Sequence, residues 1–435
     1  MKTAIMLLAL LVSLGSVFAS TTDDTDYVAD IEFALEELEN RAGHFFKNKD
    51  INWAKVSKQF KKEAKAVKTD QEHLVLLVRL MARLKDGHAR VQPMTAGESV
   101  KWPEEPEREG PGMFWVHIGK KLYVKNAWNS AKDAGVKPGM EIVKVDGVKA
   151  ADWLANRIEE VADKASFSTP QQADFFTCHW GLKSEVGSRM KLELKLGKKK
   201  KKKTVSISKS SAVPWGPAFF PPNLERSKNL AFGLTENGWG YVHIRRCKGD
   251  LPTAMDQALL KVGGAPGLIL DFRANGGGGF DHDDFFGRFI PTGKTLSFVK
   301  TYASTGAHPY GGPIVVIIDG NTRSAGETAS GIFKEDGRAY MIGESPTAGM
   351  SAGKYTLELP SGLFSLYFAV SSNKGRFNEG RGIEGIGVIP HEVVEYKVED
   401  LIAEEDTLIK RAEELLADFP QAKVPYDPAK FDWKE

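Results

Sequence analysis

The sequence predicts a multidomain α+β protein, with a helical domain first, a β-rich domain next and an α/β core last. Apolar residues repeat at helical spacing before residue 100, and short strand-like runs separated by turns fill residues 113–208. Continuous β-branched runs recur after residue 228, which is typical of a sheet covered on both faces. Proline-rich stretches at 102–112 and 213–222 separate these regions. The predicted boundaries are 1–19 for a signal peptide, 20–101 for the helical domain, 113–208 for the β-rich domain, 223–400 for the core, and 401–435 for a C-terminal helix and tail.

Composition excludes several classes of protein. The chain has 435 residues, 42% hydrophobic and 27% charged, which fits neither a disordered chain nor a bundle of membrane spans. Lys and Arg number 59 against 57 Asp and Glu, whereas binding of nucleic acid by the whole protein requires a clear basic excess. The two cysteines, Cys178 and Cys247, are too few for a disulfide scaffold or a multi-cysteine zinc site.

The N-terminus has the pattern of a secretory signal peptide. Lys2 precedes an apolar run at 4–14, and small residues follow at Ala19 and Ser20. The run is shorter than the about 20 residues of a membrane span. We therefore expect cleavage near Ala19 and a secreted or periplasmic protein without a stable membrane span. A disulfide between the two cysteines is then permitted, and two buried free thiols are the alternative.

Two regions contain candidate catalytic residues. The second helical run, at 74–84, leads to Gly87, which is expected to end the helix and to place His88 just past it, where the histidine could also serve only as a cap. Farther along, a buried strand ends at Asp319, and a helix is predicted to begin near Ser324. A serine there is exposed beside outward-pointing amides, which suits a nucleophile with an oxyanion site. The alternative is a simple N-cap.

Three further patterns have competing interpretations. Glycines 276–279 follow a buried strand and allow close approach of a ligand, but the spacing of a phosphate-binding loop is missing because Asp281 replaces the third glycine. The acidic run at 281–284 could bind a metal ion, and a helix N-terminus is the favoured interpretation. Ser351 lies in a formal Gly-x-Ser-x-Gly motif, but strand-like runs follow it where that motif needs a helix.

Several motifs together resemble one family. Residues 130–147 combine a short helix, a Lys-Pro-Gly turn, a strand and an Asp-Gly turn, and this order resembles a PDZ domain. The segments 271–278, 321–327, 343–349 and 383–390 resemble, in order, the glycine-rich, nucleophile, base-bearing and closing-strand motifs of the C-terminal-processing (tail-specific) serine protease superfamily. The resemblance implies a ClpP/crotonase-like core without metal or organic cofactor. Ser324 would be its nucleophile, and the amides of Ala325 and Gly277 would form the oxyanion hole.

One departure from this family concerns the general base. The tail-specific branch places a lysine directly after Thr-x-Gly, whereas this sequence has Met350, which cannot accept a proton. Lys354 lies four residues after Met350, and on a strand the two side chains would face the same side. The other branch, which resembles the tricorn protease and the interphotoreceptor retinoid-binding protein, uses a histidine, and the segment ending in His88 resembles that element. Glu384 would then orient the Ser–His pair, with Glu379 as a neighbouring alternative.

The resemblance implies a serine endopeptidase that forms an acyl-enzyme on Ser324, with His88 and Glu384 as the other catalytic residues. Unfolded or C-terminal polypeptide would be bound through its terminus at the PDZ-like domain, because a PDZ groove holds an extended chain and its carboxylate. Two alternatives remain. One is a non-catalytic protein that binds peptides or lipids on the same fold, and the other is a Ser–Lys hydrolase that uses Lys354.

Overall fold

The computed structural model describes residues 26–196, 202–216, 219–420 and 423–424. The expected signal peptide with its cleavage site, and most of the C-terminal tail, lie outside these residues. The helices of the described residues are Tyr27–Ala42 (α1), Trp53–Ala64 (α2), Asp70–Ala82 (α3), Asn129–Asp133 (α4), Ala150–Ala162 (α5), Pro170–His179 (α6), Leu251–Val262 (α7), His282–Gly287 (α8), Ala325–Glu335 (α9), Val398–Ala403 (α10) and Thr407–Ala417 (α11).

Strands make up most of the remaining regular structure, together with a few short 3-10 turns, in agreement with a mixed fold. The strands are Arg90–Pro93 (β1), Arg108–Glu109 (β2), Met113–Ile118 (β3), Lys121–Ala127 (β4), Met140–Val145 (β5), Val148–Lys149 (β6), Ser184–Glu185 (β7), Arg189–Leu196 (β8), Lys202–Ser208 (β9), Glu225–Arg226 (β10), Leu230–Leu234 (β11), Gly240–Ile244 (β12), Leu268–Asp271 (β13), Thr295–Ser297 (β14), Thr301–Ala303 (β15), Ile314–Ile318 (β16), Tyr340–Gly343 (β17), Lys354–Glu358 (β18), Phe364–Ala369 (β19) and Glu392–Val393 (β20).

The N-terminal unit consists of α1–α3 packed on a small sheet with the order β1-β19-β18. The apolar stripes of the three helices share one hydrophobic cluster with the β18–β19 hairpin. Asp30 on α1 also binds His73 on α3, at 3.0 Å, and the hydroxyl of Ser361 in the hairpin turn, at 2.6 Å. The hairpin therefore packs with the N-terminal helices, although the sequence assigns it to the core at 223–400.

The middle unit, residues 113–208, is built on a sheet with the order β3-β4-β5-β8-β9, covered by α5 and α6. Cys178 on α6 is buried in this unit, whereas Cys247 is buried in the hydrophobic cluster of the large sheet. Both thiols are free, so the permitted disulfide is not formed. Of the six consecutive lysines at 198–203, only Lys202 and Lys203 are described, and Lys202 pairs with Glu193 at 2.6 Å.

The core is a seven-stranded sheet with the order β10-β11-β12-β13-β16-β17-β20. Pairing is parallel from β12 through β20, and β13, β16 and β17 are buried along their whole length, as their continuous apolar sequences indicate. Because β13 and β16 are parallel neighbours, the glycine-rich loop after β13 and the turn after β16 meet at one edge of the sheet.

The C-terminal segment differs from the single amphipathic helix that residues 398–416 suggest. Glu404 adopts a left-handed conformation that ends α10, and Asp406 then caps α11 by accepting two backbone N–H bonds. Asp406 also pairs with Arg273 at 2.8 Å, and Arg273 in turn pairs with Asp271 at 2.6 Å, with all three side chains buried. This ionic network anchors the start of the glycine-rich loop to α11.

No helix of the described residues combines the length and the apolar character needed to cross a bilayer.

Candidate active site

Ser324 lies on a strained turn between β16 and α9. Its φ of +55° and ψ of −125° are sparsely populated for a residue with a side chain. The surrounding hydrogen bonds hold this conformation: the Ser324 N–H donates to Glu327 Oε2 at 3.0 Å, and the Arg323 N–H donates to Asn275 O at 3.1 Å. Asp319, at the end of the strand, accepts the N–H of Ala274 at 2.7 Å. The turn and the glycine-rich loop are thus tied together.

His88 comes to this turn from the N-terminal unit. Its Nε2 lies 3.1 Å from Ser324 Oγ. The preceding helix, α3, ends at Ala82 rather than at Gly87, and His88 lies in a separate turn. In that turn the His88 N–H donates to Asp86 Oδ1 at 2.8 Å, and Asp86 Oδ2 accepts the N–H of Ala369 from β19 at 2.7 Å. The hairpin therefore positions the histidine.

The middle unit also supports the His88 turn. The N–H of Gly87 donates to Ser168 Oγ at 2.9 Å, and the N–H of Asp86 donates to Ser166 Oγ at 2.9 Å. Both serines precede α6. A movement of the start of α6 would therefore be transmitted directly to His88.

His88 is in its neutral form near neutral pH. Burial, together with the cations of Lys354, Arg90 and Arg323, lowers the pKa of His88 to about 4, against the raising effect of the Asp86 carboxylate. A neutral imidazole with Nε2 facing a serine hydroxyl can accept its proton.

Met350 and Lys354 occupy different environments. Met350 is buried, its sulfur accepts a hydrogen bond from Gln172 at 3.2 Å, and its N–H donates to Glu327 Oε2 at 2.9 Å. Lys354 is exposed at the start of β18, and no hydrogen bond joins it to Ser324 within the described parts of the chain.

Glu384 is near the His88 turn but does not hydrogen-bond to the imidazole. Its Oε1 accepts from Lys49 Nζ at 2.6 Å and from Ser168 Oγ at 3.4 Å. Burial raises the pKa of Glu384 to about 8, against the lowering effect of the Lys49 ammonium. Asp86 Oδ1 lies 3.9 Å from His88 Nδ1. Glu379, the neighbouring alternative, is exposed in a turn.

The glycine-rich loop packs directly on Ser324. A Cβ at Gly277 would lie 2.8 Å from Ser324 Cβ, so this position requires glycine. The Gly277 N–H, which the sequence assigns to the oxyanion hole, donates to Asn275 Oδ1 at 2.8 Å. Within the described residues the N–H groups of Ala325 and of Gly278 have no hydrogen-bond acceptor, and Gly278 is exposed.

Glu327 is a site residue whose role the sequence did not indicate, although it lies within the nucleophile motif. Its fully buried carboxylate accepts four bonds, including those from Ser324 and Met350 already described. The other two come from Thr347 Oγ1 at 2.6 Å and from the N–H of Gly349 at 2.7 Å. Burial raises the pKa of Glu327 to about 7, against these donors. Glu327 thus connects the nucleophile turn to residues 347–350.

The remaining candidates have structural roles. Asp281 caps α8 by accepting the N–H groups of Asp283 and Asp284, both at 3.0 Å, which agrees with the favoured interpretation of the acidic run. Ser351 is buried and precedes the strand β18, so it lacks the strand-to-helix context of a nucleophile elbow.

Comparisons with known proteins point to a family of peptidases. Residues 238–394 match the model of Peptidase family S41. A carboxyl-terminal-processing protease of Picosynechococcus sp. is 22% identical over 357 residues, which cover 79% of this chain and 77% of that protein. These similarities support the superfamily of carboxyl-terminal-processing serine proteases. This chain is accordingly a serine-type peptidase, and both predictions from the sequence motifs are confirmed.

Two further proteins are similar to this chain. A chloroplastic C-terminal processing peptidase of Tetradesmus obliquus is 26% identical over 270 residues, which cover 60% of this chain and 53% of that protein. The crystal structure of mature CPAF has the same overall fold, with a TM-score of 0.62 over 91% of this chain and 98% of that chain, at 13% identity.

Proposed function

We propose that this protein is a secreted or periplasmic serine endopeptidase in which Ser324 is the nucleophile and His88 is the general base. The observation that carries this proposal is the 3.1 Å contact of His88 Nε2 with the hydroxyl of a serine on a strained turn. The secretory part rests on the pattern of the first twenty residues alone.

The geometry supports acyl-enzyme chemistry. Ser324 Oγ attacks the scissile carbonyl while its proton passes to His88 Nε2, and the C–N bond then breaks as the histidine returns this proton to the leaving amine. A water molecule next loses a proton to His88 and attacks the ester, which releases the acid and restores the hydroxyl. The Ala325 N–H, beside the nucleophile and without a partner in the described structure, is the first oxyanion donor.

The glycine-rich loop supplies the second oxyanion donor. Gly277 contacts Ser324, but its N–H already binds Asn275, and the exposed Gly278 offers the next N–H along the loop. We assign the second donor to Gly278, with Gly277 providing the space for the loop to approach.

Glu384 acts as a positioning residue in this proposal. It contacts the His88 turn through Ser168, which accepts the N–H of Gly87. Asp86 is also a positioning residue, because its carboxylate accepts the backbone N–H of His88.

The middle unit, whose sequence resembles a PDZ domain, is proposed to bind an extended polypeptide near its C-terminus. Support comes from the contacts of Ser166 and Ser168 with the His88 turn, because binding in this unit can then influence the histidine.

The charges around the site favour substrates with a carboxylate near the scissile bond. On the His88 side, Arg90 is exposed and donates to His88 O at 3.4 Å. Lys354 is also exposed and pairs in register with Ala369, the residue whose N–H binds Asp86.

Two further cations lie on the other side of the nucleophile. Arg246 donates to Gly276 O in the glycine-rich loop at 3.0 Å, and Arg323 directly precedes Ser324. No ion pair to a described carboxylate neutralises any of these four cations. A carboxylate of the substrate, from an acidic side chain or the C-terminus, would pair with these cations.

Labelling with a fluorophosphonate tests the assignment. We expect the mature protein to be labelled, and we expect the label to be lost in Ser324→Ala and His88→Ala but kept in Lys354→Ala. Loss in Lys354→Ala with retention in His88→Ala would support the Ser–Lys alternative. Absence of the label from folded wild-type protein would support the non-catalytic binding protein.

A further inference from the structure

A cavity of about 200 Å³ separates the middle unit from the edge of the core sheet, away from Ser324. On one side it is lined by His117 of β3 and by Asp174, Cys178 and His179 of α6. Glu344 and residues 393–396, which follow or belong to β17 and β20, line the other side. The peptidase mechanism uses none of these residues.

Three side chains in this cavity bring metal-binding atoms together. His117 Nε2 lies 2.9 Å from Asp174 Oδ1, and one ligand atom each of His117, Asp174 and Cys178 lie within 4.8 Å of one another. Asp174 and Cys178 are four residues apart and therefore share one face of α6. The side chains of His117 and Asp174 are 40% and 37% exposed, so they form the mouth, while Cys178 is buried below them.

Two unpartnered polar atoms belong to the same cavity. His179 is buried and its Nδ1 donates to Phe175 O at 2.6 Å, while its Nε2 has no hydrogen-bond partner among the described residues. Glu344 Oε1 likewise lacks a described partner, although Oε2 of the same carboxylate lies 3.4 Å from Lys125 Nζ. Buried polar atoms without partners are uncommon in folded proteins and need an explanation, and a bound water molecule or ion is one such explanation.

The nearby ammonium of Lys125 is not the partner of these two atoms. Lys125 is buried, pairs with Glu344, and lies over the rings of Phe175 and Tyr396, at 5.8 Å and 4.6 Å from their centroids. The carboxylates of Asp174 and Glu344 outnumber it, so a cation at the mouth is electrostatically favoured.

We propose that His117, Asp174 and Cys178 form a binding site for a divalent zinc-type metal ion. A mixed set of imidazole nitrogen, carboxylate oxygen and thiolate sulfur is the donor set that Zn²⁺ prefers. On binding, the imidazole coordinates in its neutral form, two metal bonds replace the His117–Asp174 hydrogen bond, and the thiol of Cys178 and any imidazolium of His117 release their protons to solvent. A water molecule or Glu344 Oε1 completes a tetrahedral set, and in the latter case the ion joins the middle unit to the core.

The position of the site links it to the peptidase. The other end of α6 contacts the segment 347–350, because Thr169 Oγ1 donates to Ala348 O at 2.9 Å and Gln172 donates to the sulfur of Met350. A metal that fixes the C-terminal turn of α6 therefore restrains the helix that supports the His88 turn. This consequence rests on the proposed function, whereas metal binding itself does not.

Cobalt spectroscopy tests the site without any use of activity. Untagged mature protein is titrated with Co²⁺, and we expect one equivalent to produce a thiolate-to-metal absorption band that Zn²⁺ then removes. Cys178→Ser should abolish the band. Cys247→Ser is the matched control, because it alters a buried free thiol in the other hydrophobic cluster, and this variant should keep the band.

A second variant covers the case in which Cys178→Ser fails to fold. His117 is half exposed, so His117→Ala should remain folded and bind Co²⁺ at least about tenfold more weakly. The proposal is overturned if wild-type protein gives no thiolate band, if the band persists in Cys178→Ser, or if folded His117→Ala binds with unchanged affinity. Fluorophosphonate labelling with and without Zn²⁺ then measures the coupling to Ser324 separately.

Discussion

Met350 packs against Gly87 so closely that a Cβ on Gly87 would lie 2.5 Å from the methionine sulfur. Met350 stands where the tail-specific branch has its lysine, and Gly87 immediately precedes His88. The side chain of Met350 therefore packs directly against the turn that brings the imidazole to Ser324.

Gly87→Ala should therefore disturb His88 through Met350. We expect the fluorophosphonate labelling rate to fall at least about tenfold and the free energy of unfolding to fall by about 1–3 kcal/mol, as for an overpacked core. Met350→Ala should restore much of both losses in the double variant, because it removes the clashing atoms. Gly264→Ala is the control, since nothing lies within 4 Å of a Cβ there. Equal losses in the single and double variants would contradict the proposed contact.

The pH dependence of labelling reports the protonation of His88. Only the neutral imidazole accepts the serine proton, and burial together with nearby cations lowers its pKa to about 4. The rate should reach half of its plateau near that pH and stay constant from roughly pH 6 upward. Lys354→Gln removes one of these cations, so it should raise the pKa of His88 and move the acidic limb to higher pH.

The matched control for this shift is Lys120→Gln, an exposed lysine in a turn of the middle unit. Its acidic limb should coincide with that of wild type. A wild-type limb near pH 6.5, the ordinary value for histidine, would show that the imidazole is solvated rather than buried beside Ser324.

Sequence motifs predicted the superfamily, and they predicted that Ser324 meets the glycine-rich loop, because the segments 271–278 and 321–327 follow two strands that are parallel neighbours. They also indicated His88 as the base, through its resemblance to one branch of the superfamily. Composition and spacing alone did not indicate His88 as the base, since His88 and Ser324 are 236 residues apart.

Other features depend on packing that no local pattern specifies. The sequence of the β18–β19 hairpin does not specify its partner, and the hairpin is buried by packing against the apolar faces of α1–α3. The Lys49–Glu384 pair joins residues 335 apart, neither of which has a local partner that would signal the contact. The break after α10 depends on a left-handed conformation at Glu404, a residue type that ordinarily continues a helix.

Glu327→Gln tests how the nucleophile turn is held. An amide keeps one acceptor oxygen, and its NH₂ group would face backbone N–H groups that now donate to the carboxylate. We expect a loss of about 1–3 kcal/mol in the free energy of unfolding, measured with urea, and a slower labelling of Ser324. Glu335→Gln, at the other end of α9, accepts one described backbone N–H and should change neither quantity appreciably.

Variants of the buried Lys49–Glu384 pair test whether Glu384 positions His88 or only stabilises the fold. Lys49→Met leaves the buried side chain of Glu384, whose pKa is about 8, without its ammonium donor and should lower the free energy of unfolding by about 1–3 kcal/mol, much of which the Lys49→Met/Glu384→Gln double variant should recover. If Glu384 positions His88, the double variant should still be labelled more slowly than wild type at equal stability. Labelling that recovers together with stability would assign Glu384 to the fold alone.

The unpaired cations around the site predict a preference for acidic substrates. Peptides with Asp or Glu near the scissile bond should be cleaved with a higher kcat/KM than their Asn or Gln counterparts, and the advantage should shrink as salt screens it. Arg90→Gln should reduce this advantage several-fold while leaving cleavage of the neutral peptides nearly unchanged. Free-acid and amidated C-termini, compared in the same series, distinguish a terminal carboxylate from an acidic side chain. Equal rates for acidic and neutral peptides at low salt, from a protein that is labelled normally, would reject this preference without affecting the assignment of Ser324.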